Sequence, residues 1–162
     1  YLNTLRLGSN RYASNIMSGE YQGYPMQVFD YHYQTGSGKN THHHYFSFFI
    51  MTFEISCPEL TITKEHIFSK IGQALGFDDI DFESHEFSRQ FCVRSKNKKF
   101  AYDICNAQMI DYLLGNKDMN IEIERNTMAL TCSSRLKADE IEYNMTRLMQ
   151  VRSMMPEYLF KK

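Results

Sequence analysis

The sequence predicts an α+β domain: a mainly antiparallel sheet of about six or seven strands packed with three principal helices, the last of them long and C-terminal. Three observations carry this reading. Aromatic and β-branched runs alternate with Gly- and Asn-containing turns, notably from Tyr21 to Phe53 and from Met119 to Cys132. Amphipathic stripes at helical spacing fill the stretches between and after them. The strand runs come as hairpins rather than as alternating strand and helix units, which favours antiparallel pairing. A pleckstrin-like half-open barrel capped by the last helix fits the same order of elements and is the specific alternative.

Taken in order, Leu2, Leu5 and Leu7 followed by Gly8 read as the tail of a helix or linker with a glycine stop, and residues 9–15 lead into the sheet. Asn15–Tyr21, Tyr24–Gln34 and Tyr45–Phe53 form a three-stranded meander, with turns at Gly23-Pro25 and at Thr35–Asn40. The third strand is apolar on both parities: Tyr45, Phe49, Met51 and Phe53 on one, Phe46, Phe48 and Ile50 on the other. A strand with one wet face would alternate more cleanly, so this one is central and covered on both sides, or one face meets a partner. Leu60–Thr63 is a short strand beyond Pro58. Thr63 caps a helix with the stripe Ile67, Phe68, Ile71, Ala74 and Leu75, stopped by Gly76. The acidic segment 77–86 reads as turns and caps, with Asp81 or Ser84 starting a short helix. Phe91–Ser95 is a strand. Phe100–Leu114 is a second helix, striped by Tyr102, Cys105, Met109 and Leu113 and stopped at Gly115-Asn116. Met119–Glu124 alternates as a strand with one exposed face, turns at Arg125-Asn126 and returns through Thr127–Cys132. Leu136–Met155 is the longest helix, with Ile141, Met145, Leu148 and Met155 inward, Glu140, Asn144, Arg147 and Gln150 outward, and Pro156 as its end.

At 162 residues, of which 43% are hydrophobic and 14% aromatic, the chain carries enough apolar surface for one domain spanning residues 1–162. A net charge of −1, with no basic run longer than Lys96–Lys99, argues against a nucleic-acid partner, which needs a clustered positive footprint. The four cysteines, Cys57, Cys92, Cys105 and Cys132, form no C-x-x-C pair and sit mainly in apolar runs, which reads as reduced thiols and a cytoplasmic compartment. No stretch reaches the roughly 18 apolar residues that span a bilayer.

The hairpin loop invites two chemical readings. Gly36-Ser37-Gly38-Lys39 looks like the end of a phosphate-binding loop, but Tyr33 stands where that motif needs glycine, Asn40 where it needs Ser or Thr, and a strand follows instead of a helix. The acidic 77–86 segment likewise lacks the glycine and glutamate of a calcium loop. The second reading is metal. His42, His43 and His44 face His32 and Asp30 across the hairpin, and side chains alternate faces along a strand. If residues of equal parity pair, Asp30, His32, His42 and His44 converge on one face as N and O ligands suited to zinc or a similar divalent ion, with hydrolytic chemistry open to it. If the register slips by one, His32 meets His43 and the set separates. Residue pattern leaves the register open, and no catalytic motif appears elsewhere.

Several phrases together carry a resemblance: Asn15-Ile16-Met17-Ser18-Gly19 with Gly23; Phe29-Asp30-Tyr31-His32-Tyr33 with Gly36-Ser37-Gly38-Lys39; Phe87 through Ser95; and Phe100-Ala101-Tyr102-Asp103 leading to Met109 and Leu113-Leu114. The chain resembles an uncharacterised bacterial family of unknown function, whose members carry an N-terminal transmembrane helix ahead of one soluble α+β domain. The resemblance implies an anchor upstream of Tyr1 and a place on the cytoplasmic face of a membrane, with residues 1–8 as the tail that follows it. Together these readings lead to a non-enzymatic binding or scaffold domain that works through a protein partner or self-association. The metal site is the alternative, and lipid headgroup binding through Lys39 and Lys96–Lys99 is a second one.

Overall fold

The computed structural model describes residues 2–64 and 76–161. Among these, five strands and four α-helices form an antiparallel α+β domain: β1 (Ser9–Tyr21), β2 (Tyr24–Thr35), β3 (His42–Lys64), α1 (His85–Gln90), β4 (Phe91–Arg94), α2 (Lys98–Ile104), α3 (Ala107–Leu114), β5 (Asn120–Cys132) and α4 (Ile141–Met154). The expected helix over Ile67–Leu75 lies outside the described residues, and Thr63, its expected cap, is buried within β3. No helix among the described residues is long and apolar enough to cross a membrane.

β1, β2 and the first half of β3 form the expected meander, but β1 starts at Ser9 rather than Asn15, and the segment read as a lead-in is already paired with β2. The remainder of the sheet turns on two reversals. Asn120 Nδ2 donates to Thr131 O at 3.4 Å across eleven residues, whereas an extended strand would separate them by roughly 35 Å. β5 therefore doubles back at Arg125-Asn126, where Arg125 takes a positive φ of 55°, as the hairpin pattern predicts. β3 wraps around this hairpin. Ser47–Thr52 pairs with 127–132 on one side, Cys57 meets Arg125 at the tip, and Leu60–Ile62 pairs with 121–123 on the other. β4 adds beyond Thr61–Lys64. The predicted six or seven strands are thus five continuous elements, two of which reverse. The pleckstrin-like alternative does not hold, because the sheet stays open with β1 at one edge.

Both faces of β3 are covered, by different means. Phe49, Met51, Phe53, Leu60 and Ile62 meet the helices, whose contributions include Phe87, Ile104, Met109, Leu113, Leu148 and Val151. On the opposite face Phe46 and Phe48 pack with Phe29, Tyr31, Tyr33 and Leu2, and Leu5 and Leu7 lean on the same cluster. The N-terminal segment, a single 3-10 turn over Asn3–Arg6, thereby covers part of the second sheet face. Its fit depends on Gly8, at φ 62°, where a Cβ would lie 2.2 Å from Gln34 O.

Three local expectations change. The helix expected over Phe100–Leu114 is two, because Asn106 stops one and starts the next. Its Oδ1 accepts from Met109 N at 3.1 Å, and its Nδ2 donates to Met154 O at 2.9 Å. Met119–Glu124 has no exposed face, since Asn120 and Glu122 are buried. On α4, Asn144 and Arg147 belong to the interior rather than to a wet face. Ser84 does cap α1, accepting from Phe87 N at 3.3 Å.

Candidate functional site

The β2–β3 register pairs opposite parities: His32 lies across from Tyr45, Tyr33 from His44, Gln34 from His43 and Thr35 from His42. Cross-strand partners share a face. Asp30 and His32 therefore lie with His43, while His42 and His44 lie on the other side of the sheet. The four residues read as metal ligands do not converge. Asp30 accepts from Asn15 Nδ2 and from Leu136 N, each at 2.7 Å. His44 stacks on Tyr33 at 4.6 Å and shares a hydrogen bond with Thr35 Oγ1 at 2.8 Å. His42 is exposed. Among the described residues no group of three or more His, Cys, Asp or Glu side chains is placed to hold a metal ion.

What the register does assemble is a buried histidine in an aromatic bracket. His32 is 3% exposed and sits between Tyr12, at 4.6 Å, and Tyr45, at 4.8 Å. Its Nδ1 lies 3.2 Å from Asn10 O, which can only accept. Its Nε2 lies 2.9 Å from His43 Nδ1. Arg135 covers Tyr45, 4.1 Å from the ring centroid. The cleft these side chains leave is about 90 Å³, room for a few waters. Of the lysines read as a headgroup site, Lys99 meets Asp103 and Tyr158, and Lys96 lies over Phe77.

A larger concavity lies at the opposite end of β2. About 490 Å³ opens beside the β1–β2 turn, between Tyr24, Phe53, Ile55 and Phe160, with Arg152 of α4 in its wall. Arg152 is only 8% exposed. The guanidinium lies 3.4 Å from the Phe160 ring centroid and 5.8 Å from that of Tyr24. Among the described residues its one ionic contact is long, Nη1 to Glu157 Oε1 at 3.5 Å, and its buried Nε has no hydrogen-bond partner. Glu20 and Glu54 stand exposed on the rim. Burial pushes the nearby Cys57 thiol up from its ordinary range, and the charge of Arg152 opposes that rise.

Pattern reading passed over this pocket because Arg152 stands among residues that look like one helix's filler. The signal was there in outline: Arg152 is flanked by Met149, Val151, Met154 and Met155, an apolar setting for a charge.

A third feature is the edge. β1 is exposed along its length, with only Tyr21 half-buried, and among the described residues it pairs only with β2. Tyr12, Ile16 and Met17 are 52%, 60% and 43% exposed. Irregularities in the pairing coincide with positive φ at Asn10 and Asn15, as β-bulges produce.

The fold and these three sites define an open-sheet α+β domain with concavities at both ends and, along β1, a long exposed edge strand. Against known proteins, no family model matches the chain, and no curated protein matches it. Among solved structures it is similar to the crystal structure of the mycobacterial trehalose monomycolate transport factor A, TtfA. The TM-score is 0.59 at 10% sequence identity, over 96% of this chain and 81% of that one. At that identity the likeness is one of fold.

Proposed function

We propose that this chain is a non-enzymatic scaffold domain whose partner is a second copy of itself, joined through the outer edge of β1. The observation that carries the reading is the long exposed edge strand bearing Ile16 and Met17. Such an edge presents unpaired backbone groups to any incoming strand. Arg11 and Glu20 are the charged residues of β1. Antiparallel apposition about a two-fold near Asn15 sets Arg11 of each copy against Glu20 of the other and brings both copies of Ile16 and Met17 to the axis. The result is an apolar centre with a charged rim, the layout of a self-complementary contact. The bulges at Asn10 and Asn15 twist the edge and oppose open-ended sheet growth. Fold likeness to a transport factor fits a domain that binds rather than catalyses. The cytoplasmic face of a membrane, reached through a segment ahead of Tyr1, remains part of this proposal on the strength of the family resemblance.

Sedimentation velocity over a concentration series tests it. The wild-type chain should pass from monomer to dimer as concentration rises. Arg11→Glu or Glu20→Arg alone should weaken the dimer about tenfold, the double swap should restore it, and Ile16→Lys should abolish it with an unchanged circular dichroism spectrum. A wild-type chain that stays monomeric at its highest soluble concentration would overturn the reading.

A further inference from the structure

The Arg152 pocket is built in a way that the edge contact does not explain. A buried guanidinium ordinarily has its donors engaged, because an unpaired buried charge is costly. Arg152 instead touches Glu157 with Nη1 at 3.5 Å, has no hydrogen-bond partner for its buried Nε among the described residues, and lines a concavity of about 490 Å³. The two terminal amino groups of an arginine form a fork that matches the two oxygens of a phosphate or carboxylate end-on. Tyr24 and Phe53 supply aromatic walls, and Glu20 and Glu54 put negative charge at the mouth. A simple anion would meet those carboxylates unfavourably. A molecule with an oxyanion at one end and an ammonium a few bonds away satisfies both: oxygens on the guanidinium, cation at the rim against carboxylate and ring faces.

We propose that this pocket is a binding site for a zwitterionic phosphate–ammonium group of the phosphocholine kind, with Arg152 as its oxyanion ligand and Glu54 as a partner of its cation. Such a group comes from a free metabolite or from the headgroup of a phospholipid, and both present the same chemistry. Glu20 is common to this pocket's rim and to the β1 contact, but the variants tested lie at Arg152 and Glu54 and leave Arg11, Ile16 and Glu20 untouched, so failure of the site and failure of the contact are distinguishable.

The test is titration calorimetry of the full chain with phosphocholine and, separately, with glycerol 3-phosphate, followed by co-sedimentation with phosphatidylcholine vesicles. Saturable phosphocholine binding is expected, about tenfold weaker in Arg152→Lys, which keeps charge but loses the fork, and lost in Arg152→Met. Glu54→Gln should weaken phosphocholine while leaving glycerol 3-phosphate unchanged. Binding to free phosphocholine alone assigns the metabolite source, and binding to vesicles alone assigns the headgroup. Binding to neither probe overturns the proposal. So does wild-type binding that Arg152→Met leaves intact, or glycerol 3-phosphate binding as tight as phosphocholine. Because Arg152→Met replaces a weakly paired charge by an apolar side chain of similar length, thermal denaturation of that variant separates loss of site from loss of fold.

Discussion

α4 buries two arginines five residues apart to nearly the same degree, Arg147 at 6% and Arg152 at 8% exposure, and treats them in opposite ways. Arg147 grips Asp118 with both amino groups, at 2.9 and 2.8 Å, and gives Nε and Nη2 to Asn144 Oδ1 at 3.2 and 2.7 Å. Every nitrogen of its guanidinium has an acceptor. Among the described residues Arg152 has one long ionic contact, two aromatic neighbours and a buried Nε with no hydrogen-bond partner. Burial alone therefore does not distinguish a structural charge from a binding one. The state of the partners does, since desolvating a guanidinium is tolerated where its donors are matched and costs free energy where they are not.

The comparison predicts its largest effect at the satisfied arginine. Arg147→Met removes two charge-assisted hydrogen bonds to Asp118 and strands the Asn144 carbonyl in the interior, so it should cost about 2–3 kcal/mol in urea denaturation at neutral pH. Asp118 is 64% exposed on its side chain and can rehydrate, which places the figure below that of a fully buried pair. pH offers a cross-check. The hydrogen bond from Arg147 holds the Asp118 carboxyl below its ordinary value. A carboxyl depressed in the folded state contributes stability that is present above its unfolded pKa and is lost as pH falls through the folded one. The gap between wild type and Asp118→Asn should thus shrink as pH drops below the ordinary aspartate range, about 3.9. A gap constant with pH would mean that the ion pair is not what Arg147 supplies.

Glu122 is a third buried charge and sharpens the contrast. It lies on the sheet face covered by the N-terminal turn, where its Oε1 accepts from Thr4 N at 3.1 Å and from Thr4 Oγ1 at 2.5 Å, while Oε2 is buried without a partner. Burial pushes its carboxyl up, against the smaller opposing pull of the Thr4 bonds. A raised carboxyl contributes stability that is full below its unfolded pKa, about 4.3, and is lost as pH rises through the folded value. Glu122→Gln keeps the acceptor for Thr4 and removes the charge. Its urea midpoint should exceed wild type at pH 7 and approach wild type as pH falls towards the ordinary glutamate range. A midpoint below wild type at pH 7 would show that Thr4 depends on a full negative charge.

Much of this architecture was legible from residue pattern, and what was not has common physical causes. Strand periodicity and turn residues located β1, β2, the β5 reversal and α4, because those signals are local. Apolar residues on both parities of Tyr45–Phe53 announced two covered faces, and Phe48 and Phe49 are indeed both buried, but pattern could not say that Leu2 and Leu5 supply the second cover. The histidine set turned on one integer of register, and a shift of one residue sends neighbouring side chains to opposite faces. That register brought His32 to His43 instead of to His42 and His44. Asn106 looked like a helix residue because the stripe from Cys105 to Leu113 continues across it; only its hydrogen bonds to Met109 and Met154 mark a cap. Arg147 and Arg152 are the instructive pair. Helical spacing assigned Arg147 to the wet face, and only Asp118, 29 residues earlier in the chain, explains why it is buried.

The smallest expected effect is at Arg152, and it bears hardest on the comparison. Arg152→Met gives up cation–π contact with Phe160, about 2 kcal/mol for a desolvated pair, and at the same time relieves a buried guanidinium whose Nε has no acceptor among the described residues. The two changes oppose each other, so the unfolding free energy of the ligand-free chain should stay within about 1 kcal/mol of wild type. A destabilisation as large as that of Arg147→Met would place Arg152 among the structural charges and leave the pocket without a reason for its open donor. Near-neutrality in the same denaturation experiment would mean that nothing in the fold of this chain requires a charge at that position. The guanidinium would then be there for something other than the fold, which is the behaviour of a binding group whose partner lies outside the chain.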